Sequence, residues 1–255
     1  MNLVKFYLKK IYRNKFTMYF RNILGIRPAI FLLNLSKKNI SASDAFFWRT
    51  DNGFRTIFKF TNIIKFYYGK EEKNLRIIFF DKNNNLIKEI YVHGNSFNEI
   101  VIDEKFLNNI QSHGVFYVFH NSKSFLNGVI RNSCYTGYSF KNSLPSFVHG
   151  NTIAAEQNLN SMKINYGLGG FSYFKKFTYT VQNYFDYEKT EIMLVNPTNK
   201  KLNVNVNEID IKLDKGCSII VDTTKNKLIK IKSNCFLLRP VVFTYKKSYF
   251  DVYHG

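Results

Sequence analysis

The first acidic side chain in this sequence is Asp44. Before it stand nine basic residues: Lys5, Lys9, Lys10, Arg13, Lys15, Arg21, Arg27, Lys37 and Lys38. Long apolar runs are also missing. A membrane-spanning helix needs about 20 predominantly apolar residues, and the best run, Ile23 to Leu35, is shorter and split by Arg27-Pro28. No cleaved secretory leader is expected either, because charge interrupts the N-terminal apolar residues and no small-residue cleavage site follows them. Cysteine is scarce: Cys134, Cys217 and Cys235 make an odd count with no Cys-x-x-Cys pair. That argues against a disulfide framework and for a reducing compartment.

Several chemistries are absent as patterns. The chain has no P-loop, no dinucleotide fingerprint and no Gly-x-Ser-x-Gly elbow. Gly167-Leu-Gly-Gly170 lacks the Lys-Ser/Thr that holds a triphosphate and its metal, so it reads as a bent loop. The five histidines, His93, His113, His120, His149 and His254, include neither His-x-His nor His-x-x-x-His. No metal site and no cofactor is expected from them.

What the chain has in quantity is ring and charge. Aromatic residues make up 17% and apolar residues 45%, enough to build a packed core. The formal charge is +19. Lys, Asn, Ile, Phe and Tyr share AT-rich codons, so codon bias accounts for much of that total without any polyanionic partner. The distribution is more telling than the sum. Beyond residue 43 the excess falls to 28 basic against 18 acidic side chains.

Residues 2–24 read as an amphipathic helix, with Val4, Leu8, Ile11, Tyr12, Tyr19 and Ile23 near one face and lysines off it. A basic flank, an aromatic apolar face and no acid are the profile of a helix lying in a membrane interface. Lys5, Lys9, Lys10, Arg13 and Lys15 are its candidate membrane-binding residues. The competing reading packs this helix on its own β domain with its lysines in water. Pro28 ends the helix, Ala29 to Leu35 forms an apolar run, and Ser36 to Ser43 reads as a linker.

From Asp44 the pattern becomes strands. Phe46–Thr50 and Phe54–Asn62 flank Asp51-Asn52-Gly53, a hairpin signal. Leu75–Phe80, Leu86–Val92, Glu99–Asp103 and Val115–His120 follow. Residues 188–255 run in a similar order: Thr190–Val195, Leu202–Val206, Ile209–Leu213, Ser218–Asp222, Leu228–Ile231 and Val241–Tyr245. Residues 56–62, 100–103 and 110–112 match 190–196, 219–222 and 231–233 in pattern. The fold class expected is mainly β: an antiparallel β-sandwich of two pseudo-repeated units, with an N-terminal amphipathic helix. The divisions are 1–43, helix and linker; 44–130, first β unit; 131–187, central insertion; and 188–255, second β unit.

The insertion is chemically the most mixed stretch. Tyr135, Tyr138, Asn151, Gln157 and Arg131 are ligand-binding candidates, because rings bordered by amides and a guanidinium suit sugars or anions. His149 and Glu156 are the catalytic candidates, as acid or base and its neighbour. Cys134 could serve as nucleophile beside His149, although a buried structural thiol explains it better. Three functions compete. The first is a β-sandwich protein at the cytoplasmic face of a membrane, binding a polar glycan-like or anionic ligand, which in a bacterium fits envelope polysaccharide assembly. The second is a transferase or hydrolase of a lipid-linked or glycan substrate using His149. The third, a single-stranded nucleic-acid binder, has no motif in its favour.

Overall fold

The computed structural model describes residues 3–12, 14–26, 39–68, 74–93, 97–121, 129–131, 134–141, 143–183, 185–225, 227–247 and 249–255. The protein is mainly β, with antiparallel sheets and little helix. Twenty strands among the described residues form five four-stranded sheets. Sheet I orders Ile164–Tyr166, Ile153–Asn158, Ile40–Asp44 and Val129–Arg131. Sheet II orders Ser146–His149, Cys134–Phe140, Phe54–Phe60 and Asn98–Ile102. Sheet III orders Phe46–Arg49, His113–His120, Leu75–Asp81 and Leu86–Val92. Sheet IV orders Phe177–Gln182, Leu228–Ser233, Leu202–Val206 and Ile209–Leu213. Sheet V orders Ser218–Asp222, Lys189–Val195, Val241–Lys246 and Tyr249–His254. All strand pairs are antiparallel except Ile40–Asp44 with Val129–Arg131.

Three apolar cores explain which strands read as continuous apolar runs. Phe58, Phe60 and Ile102 of sheet II meet Trp48, Leu75, Ile77, Phe79, Phe116 and Val118 of sheet III. Ile192, Leu194 and Val242 of sheet V meet Val181, Leu202, Val204, Ile229 and Ile231 of sheet IV. The third core lies between these two bodies. Val115, Tyr117 and Phe119 contribute to it from sheet III, Phe54 and Tyr138 from sheet II, and Met193, Val195, Val241 and Phe243 from sheet V. Successive residues of a strand point to opposite faces. The central strands of sheets III and V therefore serve two cores at once and need apolar residues at nearly every position.

Charge also crosses the third core. Arg49, 1% exposed, puts Nη1 2.9 Å from Glu191 Oε2 and forks onto Asp51 through Nε at 3.0 Å and Nη2 at 2.7 Å. Its guanidinium lies over Phe54 at 4.0 Å and Phe243 at 4.7 Å. The Tyr245 hydroxyl donates to Glu191 Oε2 at 2.7 Å, and Lys189 Nζ sits 2.6 Å from Glu191 Oε1. Burial works against the charge on both groups. It is outweighed by the hydrogen bond to Asp51 and the neighbouring charges at Arg49, and by Arg49, Lys189 and Tyr245 at Glu191, so both stay ionised.

Three expectations are corrected. Phe46–Arg49 and Phe54–Phe60 do not form a hairpin, since they belong to sheets III and II. Asn52 (φ 53°) and Gly53 (φ 83°) turn a corner between sheets, held by Arg49 on Asp51 and by Thr56 Oγ1, which bonds both backbone groups of Arg49. Residues 36–38 lie outside the described residues, and at 40–43 the linker reading is also overturned: Ile40–Asp44 is a buried strand. Its small residues allow close approach, and the Ser41 and Ser43 hydroxyls accept the backbone N–H groups of His120 and Val118 at the edge of sheet III. The single N-terminal helix is two, Leu3–Tyr12 and Lys15–Leu24, with Asn14 capping the second by accepting from the Phe16 N–H. Pro28 and the 29–35 run lie outside the described residues. Of the three matched segment pairs, the first two are strands paired antiparallel in each half, Thr56 with Ile102 and Ile192 with Val221. Their registers differ by two residues, and the third match joins a loop to a strand.

His113, paired across from Arg49, is the acid-sensitive point of this frame. Burial lowers it from the ordinary 6.5 to about 4; Arg49 and Lys82 push the same way and Asp51 opposes them. The folded protein thus prefers neutral His113. Its stabilisation is complete above pH 6.5 and is lost as pH falls from 6.5 towards 4, at most about 3 kcal/mol. Urea unfolding at pH 7 and pH 4.5 should show a steeper loss for the natural chain than for His113→Asn. Equal losses would contradict this assignment.

Candidate functional site

The central segment does not stand apart from the sheets. Cys134–Phe140 pairs with Phe54–Phe60 along its whole length, and Ser146–His149 forms the edge of sheet II. Ile153–Asn158 joins sheet I beside Ile40–Asp44. The candidate residues accordingly fall on different surfaces.

Tyr135 and His149 are brought together. They are cross-strand partners, both exposed, with ring centroids 4.9 Å apart. Arg131 and Glu156 share another row, each opposite Ala42 in sheet I. Arg131 forks onto Asp44 at 2.8 and 2.7 Å, and Asp44 is almost fully buried. Gly150 leaves room for that carboxylate: a Cβ there would lie 2.2 Å from Asp44 Oδ2. Glu156 Oε1 accepts from Asn165, while Oε2 is buried without a partner. Asn151 donates to the Arg239 carbonyl at 2.8 Å.

Two candidates turn inward. Tyr138 is fully buried in the third core and its hydroxyl donates to the Phe47 carbonyl at 3.1 Å. Burial pushes that hydroxyl's pKa well up. Gln157 is also fully buried, its amide donating to Asn121 Oδ1 at 3.0 Å. Cys134 lies in the core beside Phe58 and Phe60, and burial raises its pKa well above that of a reactive thiol. Burial likewise takes Cys235 to about 12. Neither is a thiolate at neutral pH. Among the described residues no three His, Cys, Asp or Glu side chains converge as a metal site would require.

A concave surface lies beside the C-terminal strand. Tyr249–His254, a strand the pattern reading stopped short of, runs beside Ser146–His149. The Ser146 hydroxyl donates to Asp251 Oδ1 at 2.6 Å and accepts the Val252 N–H at 3.1 Å, and His254 Nε2 donates to the His149 carbonyl at 2.9 Å. Beside this strand a groove of about 570 Å³ opens, lined by Thr180, Gln182, Phe185, Tyr187, Asp251 and Tyr253. Phe185 and Tyr187 stand edge to face at 6.0 Å. Burial lowers the His254 pKa, aided by Arg239, so its imidazole is neutral at neutral pH. Rings, an amide, a hydroxyl and one carboxylate give a surface for stacking and hydrogen bonding without a strong charge. The alternation Tyr249-Phe-Asp-Val-Tyr-His254 was the available signal.

The helices complete the picture. Lys5 and Lys10 are exposed on the first. Lys9 and Lys15 lie in the two helices, but their side chains, like Arg13 as a whole, fall outside the described residues. Val4, Leu8 and Ile11 are exposed, as are Phe16, Phe20, Leu24 and Ile26. No helix among the described residues is long and apolar enough to cross a membrane. No protein-family model matches the chain, and no curated protein matches it either.

The fork between Arg131 and Asp44 gives Arg131 a structural duty that can be measured. Arg131→Ala leaves a buried carboxylate without its partner and should destabilise by about 2–4 kcal/mol in urea unfolding. Adding Asp44→Asn should recover part of the loss. A single variant as stable as the natural chain would release Arg131 for ligand binding alone.

Proposed function

We propose that this protein sits on an anionic membrane surface through its two N-terminal helices and binds a polar, glycan-like ligand on its β body. The observation that carries the first half is the orientation of the second helix. Phe16 is 70% exposed and Phe20 and Leu24 are exposed too, whereas Asn22 is 1% exposed. A helix packed on its own domain buries the opposite face. Fully burying one such apolar side chain is worth about 1.5–3 kcal/mol, and each lysine near an anionic leaflet adds about 1 kcal/mol. Three free cysteines, two of them buried, support the cytoplasmic leaflet.

The glycan reading rests on the groove between 180–187 and 251–255, where aromatic rings and polar groups face one space. A membrane location joined to ring-and-amide chemistry is what supports a role in bacterial envelope polysaccharide assembly. The catalytic alternative has less in its favour, since His149 and Glu156 have no hydrogen-bonding partner in common. We further read sheets II and III, and sheets IV and V, as two sandwich units. The support is that each pair shares one apolar cluster of alternate strand residues.

The anchor is tested by flotation of the full chain with phosphatidylcholine vesicles, with and without phosphatidylglycerol. The natural chain should float with the anionic vesicles. Phe16→Ser/Phe20→Ser/Leu24→Ser should lose at least tenfold in the bound fraction without losing its fold. Unchanged flotation of that variant would remove the membrane reading.

A further inference from the structure

We infer that the membrane-facing surface includes the Tyr173–Lys176 loop and the lysine row of sheet IV, so that the helices and this sheet meet one bilayer together. The inference rests on the membrane reading above and says which part of the β body faces the lipid.

The loop is clamped to the end of the second helix. The Ser172 hydroxyl donates to the Ile23 carbonyl at 2.8 Å, and the Tyr173 N–H donates to the same oxygen at 3.1 Å. Gly25 closes the helix at φ 66°, and a Cβ there would lie 2.4 Å from the Lys175 Cβ. Ser172 is itself buried and fixed by a mutual pair of bonds with Asn234, its N–H to the Asn234 carbonyl and the Asn234 amide to its own carbonyl, both 2.9 Å. Its hydroxyl also accepts the N–H groups of Phe174 and Lys175. A loop held this firmly nevertheless leaves Phe174 77% exposed, with Tyr173, Lys175 and Lys176 exposed around it. An aromatic pair beside two lysines, at the end of a helix with exposed Leu24 and Ile26, is what an interfacial contact requires.

The charge runs on from the loop. Lys176 precedes the strand Phe177–Gln182, whose Thr178 and Thr180 face outward opposite Lys232 and Lys230 of the next strand. Those lysines are exposed. No acidic residue occurs in 1–43, in 157–185 or in 223–250. These three stretches supply the helices, the loop and the central strand of the lysine row. The first two segments meet where Ser172 and Tyr173 hold Ile23, and the second pairs with the third along sheet IV; the row of Lys232 also carries one exposed acid, Asp210, which takes up the Asn205 amide. An anionic lipid surface fits this face by charge, and the exposed rings fit the acyl boundary.

The test uses the full chain with Phe16→Trp or Phe174→Trp, bound to anionic vesicles containing brominated lipid. Trp48 is fully buried and gives a constant background. Both introduced indoles should be quenched to a similar degree. Lys230→Gln/Lys232→Gln should weaken partitioning by about fivefold per charge removed. Quenching at Phe16→Trp but not at Phe174→Trp, or unchanged partitioning of the lysine variant, overturns the inference and leaves the helix anchor standing. Quenching at neither position overturns both.

Discussion

A charged group sealed from water has to find its counter-charge, and in this protein one such contact joins two distant parts of the chain. Arg49 and Glu191 are 142 residues apart and meet 2.9 Å from one another beside the third core. Asp51 and Lys189 complete the charges, Tyr245 fills a lone pair of Glu191, and Phe54 and Phe243 cover the guanidinium. A buried pair is a weak source of net stability, but losing one partner leaves an uncompensated charge. Each group also has a counter-charge close by in sequence, Asp51 for Arg49 and Lys189 for Glu191, and the Arg49–Glu191 contact is the one that ties sheet III to sheet V.

That docking decides where the functional surfaces fall. Sheet V brings Tyr249–His254 alongside Ser146–His149, which creates one wall of the groove at 251–255. Its other face carries sheet IV, whose first strand supplies the opposite wall and continues back into the loop that clamps the helix. The proposed ligand groove and the proposed lipid-facing surface are therefore both built on sheet IV.

The strands that could be read from the chain were those buried on both faces. Leu75–Phe80 and Thr190–Val195 stand out because two cores leave few polar positions, taken by Arg76, Thr190 and Glu191. Ser41-Ala42-Ser43 could not be read so, because small polar residues look like a linker until their hydroxyls are seen to take up backbone groups of a neighbouring sheet. Asp51-Asn52-Gly53 signals a turn but not which sheets it connects; the answer lies in Thr56 and Arg49. The site candidates were chosen by residue type, and type is shared between surface and interior. Tyr138 and Gln157 satisfy their polar atoms inside the fold, and Arg131 serves Asp44. Tyr135 and His149 are neighbours through strand pairing alone, which residue type does not reveal. Arg49 had no sequence signal at all, since nothing local marks a partner so far along the chain.

The central claim, that the Arg49–Glu191 contact ties sheet III to sheet V, is tested by a double-mutant cycle. Urea unfolding is measured for the natural chain, Arg49→Met, Glu191→Gln and the pair. Each single change should cost about 3–5 kcal/mol, and the double should recover at least about 1.5 kcal/mol of the sum. Additive losses, within about 0.5 kcal/mol, would contradict the account.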